Sequence, residues 1–217
     1  MINNTSKWLL FFGLSLLFLA CDAPESAYHS WSKTGGGSEN LKYSSLNQID
    51  TTNYAKLGVA WVYYSEKNDS TKFGPMECNP IVVDGVMYGV SPKLKLFAVN
   101  AATGKELWTF NPADSVANKT WHRSSVNMNR GVAYWANGND KRVIYTVGPI
   151  VFCVNAVTGN LVKSFGQEGG INLVNGLDRN PDKLFVAPTS PVMVYKNLFF
   201  VSGLVGDETP GHIRAFD

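Results

Sequence analysis

A chain of 217 residues with 19 Lys and Arg against 17 Asp and Glu carries a formal charge of +2, which excludes the basic stripe expected of a nucleic-acid-binding protein. Hydrophobic residues at 45% and charged residues at only 17% exclude a disordered chain and fit a packed core. Aromatics at 12% and 20 glycines suit short strands joined by tight turns, and no apolar stripe of helical period continues past the N-terminus.

The first element is an export signal. Lys7 precedes the apolar run Trp8–Ala20, which is shorter than the roughly 20 residues needed to span a bilayer. Residues 1–20 therefore read as a signal peptide rather than a membrane helix. Phe18-Leu19-Ala20-Cys21 resembles a bacterial lipobox. That resemblance implies acylation of Cys21 and a periplasmic, membrane-anchored lipoprotein of a Gram-negative bacterium, with plain periplasmic secretion as the second reading. Residues 21–40 are rich in Ser, Gly and Asn and read as a tether and opening segment. Export permits disulfides, but Cys78 and Cys153 fall in different predicted strand units and read as two separate buried thiols. No C-x-x-C-H haem attachment site is present, and His29, His122 and His212 have no ligand-like spacing.

Residues 41–217 then repeat. Leu57–Tyr64 is strand-like. Asn79–Val90 is a pair of apolar strands around Asp84-Gly85, a strong hairpin signal. It leads into Leu96-Phe97-Ala98-Val99-Asn100-Ala101-Ala102-Thr103-Gly104-Lys105-Glu106-Leu107-Trp108. The second unit runs Arg142–Thr146 and Val151–Gly159. The third runs Pro191–Tyr195, a Lys196-Asn197 turn, Leu198–Val201 and His212–Asp217. Asn100 and Asn155 are 55 positions apart, and Asn155 and Asp217 are 62 apart. Two hairpins per repeat of this size make a four-stranded β-propeller blade. The expected fold is thus all-β, a propeller of about three blades. Because propellers close with about four to eight blades, the chain reads as a truncated part of a larger ring.

The repeat Ala98, Asn100, Thr103, Gly104, Trp108 resembles the tryptophan-docking repeat of pyrroloquinoline quinone (PQQ)-dependent quinoprotein dehydrogenases, in their glucose and alcohol dehydrogenase branch. In that family the Trp packs between neighbouring blades, so Ala98, Asn100, Gly104 and Trp108 are expected to dock blades. Lys163 stands where the second unit would place its Trp, and that staple is expected to be missing. The resemblance covers most of residues 31–217, including the opening Trp31-Ser32-Lys33-Thr34-Gly35-Gly36, and implies an eight-bladed parent.

The same resemblance implies a cofactor site. Met76-Glu77-Cys78-Asn79-Pro80 is similar to the segment whose Glu contacts PQQ, and Val126–Trp135 contains Arg130 where the family has an Arg that binds it. Val205-Gly206-Asp207-Glu208 is similar to a loop carrying a carboxylate ligand of Ca²⁺. Thr146 is a further candidate for a cofactor carboxylate. A flat ortho-quinone with three carboxylates suits a planar bidentate donor, and a hard divalent cation needs oxygen ligands. Read alone, Arg130 fits a surface ion pair, Glu77 a solvated carboxylate, Asp207 a turn residue and Thr146 an ordinary strand threonine. The implied enzyme oxidises the CH–OH group of a sugar (glucose-like) or alcohol and passes electrons to membrane quinone or a cytochrome c. Its catalytic Asp belongs to a later blade, so this stretch is expected to be inactive alone. The alternative is a non-enzymatic propeller lipoprotein that scaffolds outer-membrane protein assembly, which has no need of an Arg and carboxylates converging on the axis.

Overall fold

The computed structural model describes residues 30–66, 75–115 and 128–217. The signal segment, Cys21, His29, His122 and the Val126-Asn127 end of the Arg130 patch lie outside the described residues.

The described residues contain thirteen strands. The first blade contains β1 (Ile81–Val83), β2 (Val86–Val90), β3 (Leu96–Asn100) and β4 (Glu106–Phe110), each antiparallel to the next. Asp84 and Gly85 both take positive φ, 50° and 75°, the backbone that a two-residue hairpin turn between twisted strands requires. The second blade contains β5 (Ala133–Asn137), β6 (Asp140–Val147), β7 (Ile150–Asn155) and β8 (Gly170–Asn172). In the third, β10 (Met193–Tyr195), β11 (Leu198–Val201) and β13 (Arg214–Phe216) form a three-stranded sheet. A separate two-stranded ribbon pairs β9 (Val186–Ala187) with β12 (Leu204–Val205). The all-β blade architecture agrees with the repeat pattern in the sequence.

Strand parity explains the core. Phe152 and Val154 on β7 join Tyr88, Leu96 and Tyr145 in a cluster between the first two blades. The alternate residues Val151 and Cys153 join Val192, Phe199 and Val201 between the second and third. Successive side chains leave opposite faces of a strand, and both faces of β7 are covered, so this strand is apolar throughout. Each such large side chain contributes about 1.5–3 kcal/mol on burial. The two cysteines remain free and belong to different clusters, as the sequence implies.

The docking repeat is visible atom by atom. Asn100 Oδ1 accepts from the Ala102 and Thr103 amides and the Thr103 hydroxyl at 3.0 Å each, and Asn155 repeats this with Val157 and Thr158. Ala98 is fully buried. Gly159 takes φ 75°, and a Cβ there would lie 2.8 Å from the Trp108 ring. The Trp108 indole donates to the Ala156 carbonyl at 3.1 Å. Gly104 receives a tryptophan in the same way, from Trp61, whose indole donates to the Ala101 carbonyl at 3.1 Å.

Two expectations change. Leu57–Tyr64 is extended but has no ladder pairing, because it meets the first blade through ring faces. Trp61 covers Gly104, and the Tyr63 ring lies 5.0 Å from Phe97. At Lys163 the outer strand breaks into a turn, and Phe165, two residues later, swings inward so that its ring lies tilted 5.6 Å from Phe199 on the third blade. The contact between blades is therefore present with a phenylalanine in place of the tryptophan.

Candidate functional site

The first strands of successive sheets lie side by side, and their starting ends are joined by backbone hydrogen bonds. The Asn79 amide, just before β1, donates to the Arg130 carbonyl at 3.1 Å, and the Arg130 amide, before β5, donates to the Thr189 carbonyl at 2.8 Å. Asn79 and Gly131 pair as a parallel bridge. Three blades thus meet at Arg130, at the end of the axis where β1, β5 and β10 begin.

Neighbouring groups reinforce this knot. The Asn79 side-chain amide also donates to the Arg130 carbonyl, at 3.2 Å. Asn129 is buried. Its Oδ1 accepts from the Gly131 amide at 2.9 Å, and its Nδ2 donates to the Thr146 carbonyl at 3.1 Å. Gly131 is at φ 150°, and a Cβ there would meet Pro191 Cγ, Thr34 Oγ1 and the Asn79 carbonyl at 2.9–3.1 Å. Only glycine fits that crossing. Cys78 secures the adjoining segment, its sulfur accepting from the Val90 amide at 3.2 Å, and burial pushes its thiol up to about 11.

With its backbone fixed, Arg130 presents a half-exposed guanidinium (54% of the side chain) whose Nε lies 3.8 Å from Glu77 Oε2. That spacing is a loose ion pair, with donors left over for a ligand. A planar anion bearing carboxylates fits this donor set. The structure therefore brings Glu77 and Arg130 together.

It places the other two candidates differently. Thr146 is 1% exposed, and its hydroxyl donates to the Pro188 carbonyl at 2.9 Å. It braces the segment carrying Thr189 instead of facing a ligand. The reason is parity: Tyr145 and Val147 on β6 face the first blade, which turns Thr146 toward the third. Asp207 lies exposed in the Gly206–Thr209 turn, where Arg179 donates to the Glu208 carbonyl at 2.7 Å. On the ribbon, Gly203 packs against Pro188 while the Gly206 amide reaches the Phe185 carbonyl. Asp207 thus lies in the turn at the end of the ribbon away from Pro188. No group of three or more His, Cys, Asp or Glu among the described residues is gathered to hold a metal ion, so these residues do not by themselves form a Ca²⁺ cage. Sequence reasoning missed Asn129 and the backbone of Pro188 and Thr189, which carry no side-chain chemistry that would single them out.

The comparisons with known proteins agree with this architecture. Residues 31–217 match the family described as "PQQ: Glucose/ethanol/alcohol dehydrogenase, beta-propeller domain". A quinoprotein glucose dehydrogenase of Escherichia coli (strain K12) is 29% identical over 88% of this chain and 26% of its own length. A quinohemoprotein alcohol dehydrogenase of Pseudomonas putida is 35% identical over 67% of this chain and 20% of its own. The crystal structure of the quinohemoprotein alcohol dehydrogenase from Comamonas testosteroni superposes with a TM-score of 0.69 at 25% identity, covering 90% of this chain and 26% of that one. The chain thus spans about a quarter or less of the length of these relatives. Repeat, blade contacts and the Arg130 crossing all lie within the matched stretch, and the chain belongs to the glucose/ethanol/alcohol dehydrogenase β-propeller family of quinoproteins.

Proposed function

We propose that this chain is the front part of a PQQ-dependent dehydrogenase that oxidises the CH–OH group of a sugar or alcohol to a carbonyl. The observation that carries the reading is the Arg130 guanidinium: its backbone is pinned by two neighbouring segments while its side chain stays half exposed beside Glu77. When bound, PQQ supplies the two-electron acceptor for the hydride leaving the substrate carbon. Arg130 would hold a cofactor carboxylate through its planar fork of N–H donors, and Glu77 would orient the guanidinium. The hydroxyl proton of the substrate needs a base, which the family resemblance assigns to a later blade. The 217-residue chain alone is accordingly expected to show no turnover.

The finer parts of the reading rest on sequence. Residues 1–20 support export, the lipobox-like Phe18–Cys21 supports a lipid anchor at Cys21 and a periplasmic membrane surface, and the family resemblance supports membrane quinone or a cytochrome c as acceptor. A Ca²⁺ ion would draw on Asp207 together with ligands from elsewhere. A titration of the full-length protein with PQQ, followed by quenching of tryptophan fluorescence, tests the central claim. Arg130→Lys, which keeps the charge and loses the planar fork, is expected to weaken binding about 10- to 100-fold, equivalent to about 1.4–2.8 kcal/mol. Unchanged affinity in that variant, or no PQQ binding by the unaltered protein, overturns it, the latter in favour of a scaffold propeller.

A further inference from the structure

The segment before the first blade takes a route that the repeat does not explain. Trp31 forms an antiparallel bridge with Val82, and the Val82 amide donates to the Trp31 carbonyl at 2.8 Å. β2 occupies one edge of β1, so Trp31 takes the other, the edge facing the ring axis. β1 starts at the Arg130 end, so the antiparallel Trp31 segment runs toward that end. The chain then reverses in a tight hairpin. Lys33 and Gly36 form a bridge, with the Gly36 amide donating to the Lys33 carbonyl at 2.9 Å, and the Lys42 amide reaches the Gly35 carbonyl at 2.9 Å.

The tip of this hairpin touches the site. Thr34 Oγ1 stands 3.0 Å from where a Cβ of Gly131 would be, one residue from Arg130. The loop that follows, through Ser38 and Asn40, returns to Gly35 and lines, with Tyr134 on β5 and Met193 and Tyr195 on β10, a cavity of about 400 Å³. Gly36, at φ 97°, lies beneath the Trp31 ring with only 3.3 Å to spare for a Cβ. The turn is therefore built for glycine.

We propose that Trp31–Asn40 is a plug seated on the free edge of β1, and that its Thr34 tip forms the floor of the Glu77–Arg130 site. The plug then governs how long an occupant stays. Only the identity of that occupant, PQQ, rests on the function proposed above.

Two readouts on the unaltered protein and on Gly36→Val separate the claims: hydrogen exchange at the Val82 amide, and the rate of PQQ release followed by stopped-flow fluorescence. Gly36→Val is expected to speed Val82 exchange at least tenfold and PQQ release at least tenfold, while the β6–β7 amides keep their protection. Should Gly36→Val unfold the blades, Trp31→Ala, which removes only the ring above Gly36, carries the same expectations. Unchanged Val82 exchange overturns the plug, and an exposed Val82 with unchanged PQQ release overturns its role as the floor. If the unaltered protein binds no PQQ, the functional proposal fails on its own, and Val82 exchange still decides whether the plug exists.

Discussion

Arg130 separates two tasks within one residue: its amide and carbonyl tie three blades together, while its guanidinium stays half exposed beside Glu77. The sequence singled the residue out because a planar cationic fork suits a polycarboxylate; its place beside Glu77 is what the structure adds. The knot beneath it was not legible in the sequence, since it is made of backbone groups and of Asn129, whose short amide looks like any loop asparagine. Thr146 shows the converse. Its hydroxyl suggested a ligand contact, but its face is set by the parity of β6, which sequence alone leaves one residue uncertain. Cys153 yields a prediction at this scale. It lies in the second cluster, and burial pushes its thiol from the ordinary 9.0 to about 12, with Arg142 beside it pulling the other way. The folded chain thus holds the thiol proton more tightly than the unfolded chain. That contribution to stability is complete below about pH 9 and is lost as the pH climbs toward 12. Iodoacetamide at pH 8, read by peptide mass, should leave Cys153 and Cys78 unmodified in the native protein and alkylate both in denaturant. Native-state alkylation of Cys153 at the rate of a free thiol would contradict the burial.

Between elements, a tryptophan from one outer segment covers the glycine of the next blade's turn, and this occurs twice, at Trp61 on Gly104 and Trp108 on Gly159. The second contact was legible from the repeat. The first was harder to see because Trp61 belongs to a segment without the Asx–Thr–Gly turn that marks the others. Gly159→Ala is expected to destabilise by about 2–4 kcal/mol, since the new methyl meets both a left-handed backbone and the indole. Trp108→Ala should cost about 3 kcal/mol, and the double variant should cost less than the sum, because the methyl no longer meets the ring. Full additivity in urea unfolding would show that the two residues do not touch. The third contact obeys a different rule: Phe165 reaches Phe199 from a turn, so Phe165→Ala should cost about 3 kcal/mol. Lys163→Trp should stay within about 0.5 kcal/mol, as an exposed substitution does. Position in the repeat failed there because the outer strand is interrupted before β8, and an interrupted strand no longer carries its residues at the repeat spacing.

For the whole molecule, repeat spacing gave the blades, while the β9–β12 ribbon and the axial hairpin have no counterpart in the period and could not be seen from it. The three blades form an arc with two apolar flanks. On one, Val62 and Tyr64 are 62% and 70% exposed on the face of their segment opposite Trp61 and Tyr63, and Val59 before them is 84% exposed; on the other, Ile213 and Met193 are 78% and 69% exposed beside the third. Contiguous apolar surface of this kind, next to strands with free edges, draws other surfaces to it. The isolated 217-residue chain is therefore expected to self-associate as its concentration rises in sedimentation velocity, and to bind a hydrophobic dye at both flanks. Charges placed on the two flanks, Val59→Lys with Ile213→Lys, should suppress association without a shift in unfolding midpoint, because neither side chain is packed in the core. If the chain instead sediments as one species at every concentration and binds no dye, the flanks are covered in solution, and the exposed faces of Leu57–Tyr64 and the third blade would have to pack against part of this same chain.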